Sequence, residues 1–105
     1  MQKLTFEFTS QPPAGGTARQ AIVGVVASGN LEILLERTLP ADRCSVDVAT
    51  PVMGFDAAWR AVLGDFVAQR ETGGLRISIN DGGARPDVVA LRLAQGLRLV
   101  QGHRQ

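Results

Sequence analysis

The sequence predicts an α+β domain, a two-layer sandwich in which a mostly antiparallel sheet of about five strands carries two helices on one face. Three observations lead there. Most of the apolar residues alternate with polar ones or run β-branched, at the period of strands. Two later stretches switch to helical spacing. Glycine, proline and asparagine fall between these segments, where the chain must turn.

The first strand covers residues 3–8, with Leu4, Phe6 and Phe8 on one face and Lys3, Thr5 and Glu7 on the other. The proline- and glycine-rich stretch from Gln11 to Thr17 reads as a loop. Residues 21–27, Ala-Ile-Val-Gly-Val-Val-Ala, form a nearly unbroken apolar run of the kind a strand buried on both faces shows. Ser28-Gly29-Asn30 then leads into Leu31–Glu36. Two apolar runs joined through Gly-Asn predict a hairpin, with Gly29 supplying the positive φ of a type II′ turn.

Pro40 interrupts the chain, and a further strand covers Cys44–Thr50 before Pro51. Phe55, Trp59, Val62, Leu63 and Phe66 then share one face of a helix, with Asp56 as its expected N-cap and Gly73-Gly74 beyond its end. Leu75, Ile77 and Ile79 alternate with Arg76, Ser78 and Asn80 in a strand over 75–80. Asp81-Gly82-Gly83-Ala84 turns the chain, and Pro86 suits the first position of a second helix, whose apolar face is Val89, Leu93, Leu97 and Val100. Gly96 weakens that helix by about 1 kcal/mol relative to alanine. The element order is β-β-β-β-α-β-α, in one domain over residues 1–105.

Composition narrows the function classes. Eleven basic residues against ten acidic ones leave no electrostatic footprint for nucleic acid or an anionic membrane. Residues 1–8 alternate and lack the apolar core of a signal peptide. No stretch approaches the roughly 18 apolar residues of a membrane span, so a soluble, cytoplasmic protein is expected.

Cys44 and His103 are single representatives of their types, which leaves no basis for a zinc cluster or an internal disulfide. Cys44 reads as a small hydrophobe near a strand start, and His103 as part of a fraying tail. Glu32 and Glu36 share a strand face but stand roughly 13 Å apart, too far for a paired acid and base. Trp59 aligns with core positions and reads as packing.

Ser28 is the chemical candidate. Beside a glycine-containing turn, between Ala27 and Gly29, its hydroxyl is accessible to a modifying enzyme. Serine in turns is common because its hydroxyl bonds nearby backbone, and by position alone that role is the favoured one.

A resemblance changes that balance. Val26-Ala27-Ser28-Gly29-Asn30-Leu31-Glu32-Ile33-Leu34-Leu35-Glu36 resembles the prosthetic-group segment of malonate decarboxylase acyl carrier proteins, the δ subunits, which runs approximately V-G-S-G-D-L-E-V-L-L-E. The stretch from Asp81 to Gly96 resembles the same family's D-x-G-A-x-P-x-V-V-x-L-R-L-x-Q-G. Shorter matches occur at Leu4–Phe8, Pro51–Gly54 and Trp59, so the resemblance covers almost the whole chain. Asn30 stands where aspartate is commoner and Ala27 where glycine is; both changes keep size and turn compatibility.

The resemblance implies that Ser28 carries 2'-(5''-phosphoribosyl)-3'-dephospho-CoA through a phosphodiester, with Ala27, Gly29 and Asn30 forming the attachment loop. The thiol of this arm would hold acetyl and malonyl groups as thioesters, and the chain itself would catalyse nothing. The implied partners are the acetyl-S-carrier:malonate carrier transferase (α subunit), the malonyl-S-carrier decarboxylase β and γ subunits, a malonyl transferase and the prosthetic-group transferase. A citrate lyase-type carrier and an unmodified small binding module are the alternatives. A stand-alone hydrolase is disfavoured because no base pairs with a nucleophile in the pattern.

Overall fold

The computed structural model describes residues 1–24 and 31–102. Strands β1 (Gln2–Phe8), β2 (Gln20–Val23), β3 (Leu31–Arg37) and β4 (Cys44–Thr50) are followed by helix α1 (Asp56–Ala68), strand β5 (Leu75–Asp81) and helix α2 (Pro86–Val100). The five strands form one open sheet in the order β1-β4-β5-β3-β2. Three of the four pairings are antiparallel. The pair β4–β5 is parallel. It has to be, because α1 carries the chain back to the end of the sheet where β4 began.

The register explains why one face of the sheet is dry. Phe6 lies opposite Val46, Val46 beside Ile77, Ile77 opposite Leu35 and Leu35 opposite Ala21. Leu4, Val48, Ile79, Ile33 and Val23 form the next row. Both helices press on this face with Trp59, Leu63, Phe66 and Val67 from α1 and Val89, Leu93, Leu97 and Val100 from α2. The opposite face holds Thr5, Asp47 and Arg76, joined by hydrogen bonds of 2.9 Å between Thr5 and Asp47 and 3.2 Å between Arg76 and Asp47. Glu32 and Glu36 belong to the same face, opposite Asn80 and Arg76. The predicted two-layer arrangement is the observed one.

Several local expectations change. The described part of the run expected over 21–27 is not a strand buried on both faces. β2 is an edge strand ending at Val23, and Ile22 is 59% exposed because no helix covers its side of the sheet. Residues 25–27 of that run lie outside the described residues. Asp56 is the first residue of α1 and not its cap; Phe55 occupies the cap position without a side-chain cap bond. For the same reason Phe55 leaves the apolar helix face and is 53% exposed.

Gly96 sits inside α2, which runs on to Val100. A Cβ there would collide with Leu35 and press on Val23 at 3.2 Å, so the helix packs closely on β3 and β2 at this point. At the far end of β3 the Arg37 guanidinium donates to the carbonyls of Ala14, Gly15, Ala18 and Val100 at 2.8–3.1 Å, tying the loop before β2 to the end of α2.

Candidate functional site

Ser28 and its neighbours Ala27, Gly29 and Asn30, with the predicted II′ turn, lie outside the described residues, as does His103. The flanks of that segment are well defined. Val23 is buried and pairs with Ile33, and Leu31 is fully buried and pairs with Asp81. Gly24 has φ +78°, and a Cβ on it would strike the Leu31 carbonyl oxygen, so the chain leaves β2 through a position suited only to glycine. β2 and β3 are antiparallel neighbours, and the turn expected between them lies outside the described residues.

The same end of the sheet gathers other features. β4 ends there at Thr50, β5 ends at Asp81, and α1 and α2 both begin there. Asp81 is a buried carboxylate with all its donors in place. Its Oδ2 accepts from the Thr50 hydroxyl at 2.7 Å, and its Oδ1 accepts from the Gly83 and Ala84 amides at 3.0 and 2.8 Å. The Thr50 hydroxyl also accepts from the Val52 amide at 3.2 Å. One side chain thus fixes the loop entering α2 and, through Thr50, the loop entering α1.

Between those loops opens a cleft of about 280 Å³, lined by Val52, Phe55, Ala58, Trp59, Val62 and Val89 with Thr50 and Asp81 at its base. Gly83, Ala84, Arg85 and Pro86 form its other wall. Sequence reasoning missed it. Asp81-Gly82-Gly83-Ala84 signals a turn, but that its aspartate reaches across to Thr50 depends on β4 and β5 being neighbours.

No catalytic constellation forms among the described residues. Three or more His, Cys, Asp or Glu side chains do not converge there on a point that could hold a metal. Cys44 is buried at the opposite end of the sheet, opposite Phe8. Burial pushes its thiol above the ordinary value, with a Thr72 hydroxyl partly offsetting the rise. That is the behaviour of a packed hydrophobe and the reverse of an activated nucleophile. Among the described residues no helix is long and apolar enough to cross a membrane.

Comparison with known proteins decides the family. Residues 18–100 match the family model of the malonate decarboxylase delta subunit (MdcD). The chain belongs to that family. It is 55% identical over 100 residues to the malonate decarboxylase acyl carrier protein of Bradyrhizobium diazoefficiens, covering 95% of each chain. It is 48% identical to that of Xanthomonas axonopodis pv. citri, covering 97% of each. The fold is similar to a chain in the crystal structure of a Pseudomonas malonate decarboxylase hetero-tetramer in complex with malonate. That match has a TM-score of 0.81 and 39% identity, and covers 95% of this chain and 99% of the other. As a delta subunit of malonate decarboxylase, the chain is an acyl carrier and not a catalytic subunit.

Proposed function

We propose that Ser28 is the attachment point of a 2'-(5''-phosphoribosyl)-3'-dephospho-CoA arm, joined through a phosphodiester, on which this carrier presents acetyl and malonyl groups. The observation that carries the reading is family membership across residues 18–100, a span that contains the Ser28 segment. The chemistry of the remaining serines supports it. Ser45 and Ser78 are half-buried within strands, paired with Glu7 and Leu34, where the sheet limits access to their hydroxyls. Ser10 sits at φ +57° in a loop at the other end of β1.

When bound, the arm supplies a thiol that carries acyl groups as thioesters. The chain's own residues do other work. Val23 and Leu31, held in the ladder, flank the segment that carries Ser28, and in this reading a rigid sheet supports the root of the arm. Tethering keeps the acyl group at an effective concentration on the order of millimolar for each catalytic site within reach. The partners in this reading are the α subunit transferase, the β and γ decarboxylase subunits, the malonyl transferase and the enzyme that installs the arm. Their active sites have to open toward the end of the sheet where residues 25–30 connect β2 and β3.

The test is attachment itself. Wild-type and Ser28→Ala chains are incubated with the prosthetic-group transferase and its activated substrate, then weighed by mass spectrometry. Wild type should gain the mass of the arm and Ser28→Ala should not. An alanine variant that gains the full mass moves the site elsewhere.

A further inference from the structure

We propose that the cleft between the starts of α1 and α2 holds the adenine of the covalent arm, leaving the pantetheine and its thiol free to swing. The inference rests on the reading of Ser28 as the arm's root. Leu31 stands beside Asp81, which lies at the base of the cleft, so their Cα atoms are about 5 Å apart. Ser28 is three positions before Leu31, at most about 11 Å of chain. A phosphate and two ribose rings lie between the serine oxygen and the adenine, a reach on the order of 12 Å at ~1.5 Å per bond. The adenine is therefore the large apolar group of the arm nearest its root, and the cleft is within its range.

Size and chemistry select the ring over the rest of the arm. Ligand pockets for drug-sized molecules span about 300–1,000 Å³. At about 280 Å³ the cleft suits one heterocycle and is too small for a whole coenzyme. Phe55, half-exposed at the rim, offers aromatic surface on which a base stacks, and the largely buried Trp59 lines the cleft beside it.

The polar groups at the base are already satisfied. Both oxygens of Asp81 are taken by Thr50, Gly83 and Ala84, and the Thr50 hydroxyl both donates and accepts. A diphosphate at the base would meet a buried carboxylate, and the Arg85 guanidinium on the wall is turned to Asp87 at 3.3 Å, whereas a neutral ring meets no like charge there. The thiol cannot be the resident, because it has to leave the carrier to visit each partner.

The experiment uses the full chain, loaded with the arm, checked by intact mass and labelled on its methyl groups. Nuclear Overhauser cross-peaks should join adenine H2 and H8 to the methyls of Val52, Val62 and Val89, with both protons shifted upfield of free dephospho-CoA. Phe55→Ala removes an exposed ring and Ala58→Leu narrows the mouth from an exposed helix position, so each should fold and load normally. In both variants the cross-peaks should weaken severalfold. Adenine protons at their free positions in a mass-verified loaded chain would overturn the proposal. So would cross-peaks from the pantetheine methyls in place of the adenine, or contacts confined to another surface. A chain whose mass never rises overturns the reading of Ser28 instead, and the assignment of the cleft falls with it.

Discussion

Replacing Asp81 with alanine should cost about 4 kcal/mol of stability, far more than a single surface carboxylate is worth. The sum follows from its three bonds. The Thr50 hydroxyl, fully buried, loses its acceptor, at about 2 kcal/mol for a stranded polar group. The Gly83 and Ala84 amides lie in a loop that water reaches, so each loses about 1 kcal/mol, the net value of a hydrogen bond. With a urea slope of about 1–2 kcal/mol/M for a small domain, the unfolding midpoint should fall by roughly 2–4 M. Thr50→Val alone should cost about 1–2 kcal/mol, and adding it to Asp81→Ala should cost less than it does in wild type, because no hydroxyl is then left stranded. Urea denaturation of the four proteins of this cycle reads the coupling directly. A loss below 1 kcal/mol for Asp81→Ala, or strict additivity in the double variant, would refute Asp81 as the tie between β4, β5 and the two helix-entry loops.

Other consequences are independent of that pair. Arg37→Ala should lower stability by about 2–3 kcal/mol and Arg37→Lys should recover little, since four carbonyls are met by a planar fork that an ammonium cannot imitate; thermal denaturation checks it. Gly73→Ala should destabilise by more than 2 kcal/mol, because a Cβ there runs into the backbone carbonyl oxygens of Ala41, Gln11 and Pro12; low soluble yield or a lowered urea midpoint would show it. Cys44 should resist thiol reagents at pH 8 and react once urea unfolds the chain. Because its folded pKa is raised, the folded state holds the proton longer than the unfolded one. Its contribution is therefore complete below the ordinary thiol value of 9.0 and is lost as pH rises past it, by up to about 1.4 kcal/mol per pH unit until the folded thiol also ionises. Denaturation at pH 8 and pH 10 should show that slope in wild type and not in Cys44→Ala; with no tyrosine and a single lysine in the chain, little else titrates in that window.

Alternation alone was enough to place β1, β4 and β5, because each buries one face against the helices and leaves the other wet. Val89, Leu93, Leu97 and Val100 likewise announced α2, and all four are buried. What sequence reasoning could not supply was strand order. Residues 21–27 are as apolar as a central strand, yet β2 is at the edge, so Ile22 stays exposed. Phe55 has helical spacing with Trp59 but precedes the first turn, which turns it from a core residue into the rim of the cleft. The cleft itself depends on bringing residues 50–62 beside 81–89 across the parallel β4–β5 pair, a contact no local pattern encodes. Ser28 was the opposite case. Its segment was visible as a motif, and the fold contributes the fixed positions of Val23 and Leu31 on either side of it.

The most direct test is the mass of the chain purified from its native host, followed by fragmentation of the peptide spanning residues 20–37. The account predicts an addition equal to the phosphoribosyl-dephospho-CoA group, localised to Ser28, on most molecules in the active complex. An unmodified chain in a complex that still turns over malonate, or the same mass on any other residue, would contradict it.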